Sequence, residues 1–276
     1  MPMTIDEAVL TLRHDPLFAE FIHDAYLEAD LQACAERFRQ SGEFHEVRRV
    51  IGDHGTGTIL DLGAGNGIAS YAFSLDGAQL VYALEPDPSE IVGRGAIRRL
   101  TEGRSVKLMD AYGEMIPLSD NTVDVVYARQ VLQHTRDLGQ VLRECARVLK
   151  SGGIFLACRE HVVDNPDQLE AFRKQHPIHQ LVGNENAYSL DAYLEAIRLS
   201  GLNLKGTLGP WDSVINAFPG VRTQADLANY PRQLLEQRFG WLGQWGAKVS
   251  PVRQIVWKRI KRLIPGRMYT FWAVKP

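Results

Sequence analysis

The sequence predicts an α/β protein built on a parallel, doubly wound sheet. Beyond Gly52, short apolar runs bounded by Gly, Asp and Pro alternate with stretches of helical periodicity, the pattern of repeated βαβ units. One of those runs, ILDLGAGNGIAS at 59–70, ends in a glycine-rich turn that opens a helix. At 276 residues and 45% hydrophobic content, the chain can bury the core of one large α/β domain carrying an insertion.

In chain order, Val9, Leu12, Phe18, Phe21, Ile22, Ala25 and Tyr26 recur at helical spacing, with Asp15-Pro16 marking a new start; two or three helices are expected to form a cap over residues 1–50. Residues 51–210 form the core. Strands are expected at 58–62, 79–85, 105–109, 123–128 and 153–157. The helix at 138–149 places Leu138, Val141, Leu142, Cys145, Val148 and Leu149 on one stripe and stops at Ser151-Gly152-Gly153. A helix at 189–199, stopped by Gly201, precedes a sixth strand at 202–208. Residues 211–265, rich in aromatics and punctuated by Gly and Pro, read as a helical insertion that recognises the substrate, and residues 266–276 hold the last strand, at 268–274.

Net charge is −2, but unevenly spread: from Gln237 onward there are nine Lys or Arg and no acid, against 22 basic and 33 acidic residues before it. Within that tail, 250–266 has a helix start at Ser250-Pro251 and a stop at Pro265-Gly266. Val252, Ile255, Val256, Ile260, Leu263 and Ile264 lie opposite Arg253, Lys258, Arg259, Lys261 and Arg262. Such a helix either rests on an anionic membrane surface through residues 250–264 or packs its apolar stripe on the sheet. No apolar run approaches the ~20 residues of a membrane span, and Asp6, Glu7, Arg13 and Asp15 break any secretory h-region, so a cytoplasmic protein is expected. Cys34, Cys145 and Cys158 lack C-x-x-C spacing and read as buried reduced thiols.

The glycine turn carries the ligand chemistry. A chain leaving a strand for a helix beside a ligand needs positive φ and no Cβ in the way, and Glu85 ends the next strand, where nucleotide-binding sheets place a carboxylate for ribose hydroxyls. Gly63, Gly65 and Gly67 depart from the G-x-G-x-x-G spacing of dinucleotide sites, which argues against an NAD-dependent oxidoreductase. Asp61 at the strand end would repel a pyrophosphate and suits the cationic end of S-adenosyl-L-methionine. This run resembles motif I of class I methyltransferases, YALEPDP at 82–88 resembles motif II, and the likeness continues through 108–156 to the subfamily that includes ubiquinone-biosynthesis and other small-molecule enzymes. The resemblance covers residues 50–160. It implies a Rossmann-like seven-stranded sheet whose last strand, antiparallel, lies between the fifth and sixth. It also implies S-adenosyl-L-methionine as cofactor, held by Asp61, Gly63, Ala64, Gly65, Asn66, Gly67, Glu85, Pro86 and Arg129, with Asp110 and the Ala111 backbone meeting adenine.

Methyl transfer from a sulfonium needs mainly alignment, and a base only when the acceptor must lose a proton. His134, past the fourth strand, and His161, past the fifth and beside Glu160, lie at the carboxyl edge where open α/β sheets bind ligands, and are the catalytic candidates. His134 could equally start a helix beside Asp137. His176, His179, Glu185 and Tyr188 form a polar loop that could cover the acceptor; H-x-x-H without a firm third ligand does not make a metal site, and no metal is expected. Arg37, Arg39, Glu43 and Phe44 could face the methionine end, with Phe44 shielding the methyl group, or form a solvated helix face. The expected function is O- or N-methylation of a small-molecule or glycan-like acceptor by in-line transfer. A non-catalytic S-adenosylmethionine-binding regulator and an RNA methyltransferase are the alternatives. Nucleic acid is disfavoured, because YARQVLQH stands where amino-directed DNA enzymes carry a Pro-Pro motif.

Overall fold

Capping residues divide the N-terminal region into short helices in a computed structural model, which describes residues 3–183, 186–230, 232, 233, 235, 236, 240 and 266–276. Thr4 and Glu7 form a capping box at α1 (Ile5–His14). Asp15 caps a 3-10 turn, Pro16–Phe18, that leads into α2 (Ala19–Asp24). Asp30 and Ser41 then cap α3 (Leu31–Arg39) and α4 (Gly42–Ile51). The alternating region follows with β1 (Thr58–Leu62), α5 (Ile68–Leu75), β2 (Leu80–Leu84), α6 (Arg94–Leu100), β3 (Val106–Met109) and β4 (Val123–Arg129). Next come α7 (Leu138–Val148), β5 (Leu149–Val162), α8 (Pro166–Gln175), α9 (Pro177–Val182), α10 (Leu190–Leu199), β6 (Asn203–Leu208), α11 (Val214–Ala217) and β7 (Arg267–Val274).

The seven strands lie in the order β3-β2-β1-β4-β5-β7-β6. The first five are parallel, and β7 runs antiparallel between β5 and β6, as the resemblance implies. Both faces are covered. On one, Leu142, Cys145 and Val148 of α7 and Tyr193 and Ile197 of α10 pack against Leu60, Val126 and Phe155. On the other, Phe38 of α3, Phe44 and Val47 of α4 and Phe73 of α5 pack against Ile59, Val125 and Tyr127. All three cysteines are free and buried.

Three expectations are corrected. Helices α3 and α4 do not stand apart as a cap; their apolar faces are part of the sheet's own covering layer. Helix α7 does not run to the glycine turn: Leu149 is already extended (φ −64°, ψ 140°), and Gly152 takes its left-handed φ of 78° inside β5. Strand β5 does not end at 157 but continues to Val162, because β7 pairs with it that far. The partners shift from Ala157↔Phe271 to Glu160↔Tyr269, so β5 carries one extra residue there, and Arg159 has φ 60°. The basic stretch 250–264, and with it most of the insertion 211–265, lies outside the described residues. Among the described residues no helix is long and apolar enough to cross a membrane.

Candidate active site

The carboxyl ends of β1, β2 and β4 open onto a cavity of about 430 Å³, where a reversal of strand order leaves a crevice. Leu62, Gly63, Gly65, Glu85, Pro86 and Arg129 line it. Gly63 (φ 63°) is confined to glycine twice over, since a Cβ there would come within 2.7 Å of the Val131 side chain. Gly65 (φ 55°) has open space where its Cβ would be, the nearest atom being Val92 O at 4.0 Å, so its missing side chain leaves a cradle. Gly67 (φ 86°) starts α5. Ala64 and Asn66 line an adjoining recess of about 220 Å³ with Asp61 and Arg129, and Asn66 Nδ2 donates to Tyr26 O at 2.8 Å, tying the loop to the N-terminal helices.

Glu85 is 8% exposed. Its carboxylate accepts from Gly65 N–H at 2.8 Å and Asp87 N–H at 2.9 Å, leaving acceptor capacity for a ligand hydroxyl, and burial raises its pKa. Asp61 is fully enclosed and accepts from Ser70 Oγ at 2.6 Å; burial pushes its pKa up to about 7. Asp110 is mostly exposed, paired with Arg94 at 2.6 Å. It stands with Ala111 at the rim, where Tyr112 and Gly113 form the wall. These donors and acceptors fit an adenosyl ligand: a glycine cradle, a carboxylate at a strand end and an acid at the rim.

Arg129 leaves the end of β4 and grips Glu43 with two hydrogen bonds, at 2.6 and 3.1 Å. Glu43 is wholly buried at the start of α4. Burial alone would lower the arginine's pKa, but the Glu43 carboxylate holds it raised. Arg37 instead pairs with Glu28 at 2.6 Å and Arg39 with Glu36 at 3.0 Å, while Phe44 is buried in the core, so of that segment it is Glu43 that reaches the site.

A second cavity, of about 510 Å³, adjoins the first and shares Arg129, Gln130 and His134 with it. Four imidazoles line it: His134, His161, His176 and His179. His134 sits in a 3-10 turn, Leu132–His134, held by its N–H to Val131 O at 2.9 Å. It is solvent-exposed at the junction of the cavities, yet crowding by protein atoms lowers its pKa. His161 is 3% exposed. With Nδ1 2.8 Å from Gly266 O, the neutral ring carries its proton on Nδ1 and turns a lone pair on Nε2 toward the Gln130 amide, 3.4 Å away. Burial drives its pKa down to about 3, which keeps it unprotonated but makes it a feeble base. His176 and His179 stack with centroids 3.8 Å apart, their pKa values pushed by burial to about 4 and about 2. Glu185 lies outside the described residues, and among those described no group of three or more His, Cys, Asp or Glu is arranged to hold a metal. Tyr188 turns its hydroxyl to Thr135 O at 3.0 Å.

Gln133 and Arg159 also line this cavity, and sequence reasoning did not single them out. A strand ending at 157 leaves Arg159 in a loop, and Gln133 carries no motif.

A family model described as a methyltransferase domain matches residues 60–157. An uncharacterized methyltransferase of Mycobacterium bovis is 35% identical over 203 residues, 72% of each chain. A sterol 24-C-methyltransferase of Gibberella zeae is 33% identical over 165 residues, 58% of this chain and 43% of its own. Among solved structures, a geranyl diphosphate methyltransferase in complex with S-adenosylmethionine superposes with a TM-score of 0.56 at 16% identity, over 100% of this chain and 97% of that one; at that identity the likeness speaks to the fold.

Proposed function

The chain belongs to the class I S-adenosylmethionine-dependent methyltransferases, and from that premise we propose that it methylates a small-molecule acceptor held in the histidine-lined cavity. One observation carries this reading: two cavities, each within the size range of small-molecule sites, meet at Arg129, Gln130 and His134. The acceptor then lies in line with the methyl group across that junction.

In this reading Glu85 accepts from the ribose hydroxyls, Asp110 and the Ala111 backbone take the adenine edge, and the loop from Gly63 to Gly67, with Asp61 beneath it, holds the methionine end. Pro86 forms part of the wall beside the ribose. Arg129, neutralised by Glu43, supports the junction between the cavities. When bound, S-adenosylmethionine supplies a methyl group on a sulfonium, a leaving group that is already activated. What remains for the protein is to fix the acceptor's position and exclude water, a contribution with a ceiling of ~7–11 kcal/mol. Where the acceptor loses a proton, His134 at the junction receives it. His161 is better suited to accept a hydrogen bond from the substrate through Nε2, being too weakly basic to hold a proton near neutral pH.

Labelled S-adenosylmethionine and a metabolite extract identify the acceptor, and Val182→Trp tests where it binds, because Val182 lines the second cavity and not the first. Transfer is expected to fall by at least ~10² while S-adenosylhomocysteine affinity holds, as for a change that misplaces only the acceptor. Full transfer in Val182→Trp would place the acceptor elsewhere. In the same assays Glu85→Ala should weaken S-adenosylhomocysteine binding by ~1.5–3 kcal/mol for each hydrogen bond it makes. Undiminished affinity would remove Glu85 from the cofactor site.

A further inference from the structure

Among the described residues, every charged group at the second cavity has a partner of its own except one. Asp24 meets Arg222 at 3.1 Å. Glu160, across β5, accepts from the Val131 and Leu132 N–H groups. Arg129 takes both oxygens of Glu43. Arg159, 5% exposed, is left 4.0 Å from that same carboxylate, beyond hydrogen-bonding reach. Its Nη1 donates to the Ile215 and Phe218 carbonyls at 2.7 and 2.9 Å, but its Nε–H has no partner among the described residues, and burial lowers its pKa. Two buried guanidinium groups thus share one buried carboxylate. Gln133 Oε1, on a residue 1% exposed, and His176 Nδ1 in the same cavity also lack a partner among the described residues. Buried polar groups without partners are rare and costly, most of all when charged.

We propose that Arg159 holds an anionic group of the acceptor, a carboxylate or a phosphate, at the inner end of the histidine-lined cavity. The proposal rests on the reading of that cavity as the acceptor site. A guanidinium is matched in geometry and charge to those groups, and the excess positive charge left by Glu43 favours an anion over a neutral polar group. The neutral imidazoles of His161, His176 and His179 form walls that add no cation and pair with hydroxyl or amine groups. Gln133, whose amide oxygen accepts, fits a donor on the same molecule. The acceptor is therefore bound by its acid end at Arg159, with the atom to be methylated toward His134.

The test is calorimetry on the full chain saturated with S-adenosylhomocysteine, titrated with pyrophosphate and, separately, with succinate. At least one is expected to bind, and Arg159→Gln to weaken it by ~10-fold or more, as for a lost hydrogen bond to a charged group, with S-adenosylhomocysteine affinity unchanged. The anion that binds tells phosphate from carboxylate. No binding of either, or equal binding to Arg159→Gln, overturns the proposal. Loss of transfer in Val182→Trp alongside either result keeps the acceptor cavity and rejects only the anion site. Where Arg159→Gln does not fold, crystals of the wild type soaked in tungstate decide: an anomalous peak within hydrogen-bonding distance of the Arg159 guanidinium supports the site, and a peak elsewhere or none overturns it.

Discussion

Replacing Glu43 by Gln removes the one carboxylate that the buried arginines share while keeping the side chain's shape. The Gln oxygen can still accept from Arg129 Nε, which lies 2.6 Å from Glu43 Oε1, so the lost quantity is charge. Arg129 and Arg159 would then face each other across a site with no anion on it, Glu43 being wholly buried. Breaking a buried pair by removing one partner costs ~3–5 kcal/mol, a large part of the ~5–15 kcal/mol that holds a domain folded. At ~2–4 °C per kcal/mol for chains of this size class, the melting temperature should fall by ~6–20 °C. Urea denaturation of wild type, Glu43→Gln, Arg129→Met and the double variant measures it. The double variant should recover at least ~1 kcal/mol relative to the sum of the single changes, because Arg129→Met removes one of the stranded cations. A loss below ~1 kcal/mol in Glu43→Gln, or strict additivity, would refute the shared-carboxylate argument.

Stability should depend on pH through opposed groups, Asp61 and Glu85 on one side and the histidines whose pKa burial lowers, His161 among them, on the other. Asp61, raised to about 7, stays protonated in the fold where an unfolded Asp has ionised, so it stabilises below pH ~4 and that contribution is lost as pH rises toward 7. Glu85, also raised, acts in the same sense. His161, lowered to about 3, stabilises above pH ~6.5 and loses that contribution as pH falls toward 3. Over pH 4–6.5 the slopes that Asp61 and His161 contribute, each at most ~1.4 kcal/mol per pH unit, oppose one another. Asp61→Asn should make stability rise more steeply with pH, and His161→Gln should tilt it the other way; denaturation at pH 4.5, 5.5 and 6.5 checks both, and unchanged slopes would sink the assignment. Gly63→Ala should cost ~1–2 kcal/mol for its left-handed backbone alone, with the Val131 contact adding to it, and should weaken S-adenosylhomocysteine binding. A variant as stable and as tight-binding as wild type would show that the loop relaxes freely.

The sheet and the glycine loop were legible because local chemistry dictates them. β-branched and apolar runs end at turn residues, Gly63 and Gly67 sit where the backbone must be left-handed, and Ser189 and Asp137 cap the helices they precede. The N-terminal helices were legible as helices but not as sheet-covering layers, since the amphipathic faces of α3 and α4 do not say what they pack against. The histidine-lined cavity was the least legible. Arg159 and Gln133 belong to no motif, and the exposure of Arg159 to the cavity is decided by pairing with β7, more than a hundred residues away. His161 reads as a catalytic base from its position alone; its depressed pKa follows from burial against Phe172 and Gly266, contacts between segments that are distant in sequence.

The extra residue in β5 acts as a phase shifter for everything beyond it. Through Cys158, even-numbered residues point to the layer of α3, α4 and α5 and odd-numbered ones to that of α7 and α10, as Leu156 and Ala157 show. After the left-handed Arg159 the parity is exchanged: Val162 packs on the α7 side, while Arg159 and His161 turn into the cavity. Deleting Arg159 would remove the bulge and keep Glu160 opposite Tyr269, so Glu160, His161 and Val162 would hold their present faces and the cavity would lose its guanidinium. Within such a sheet, the polarity of a chamber can be altered by a change of length rather than of residue type, so a chain lacking this one position would present one cation fewer on an otherwise common frame.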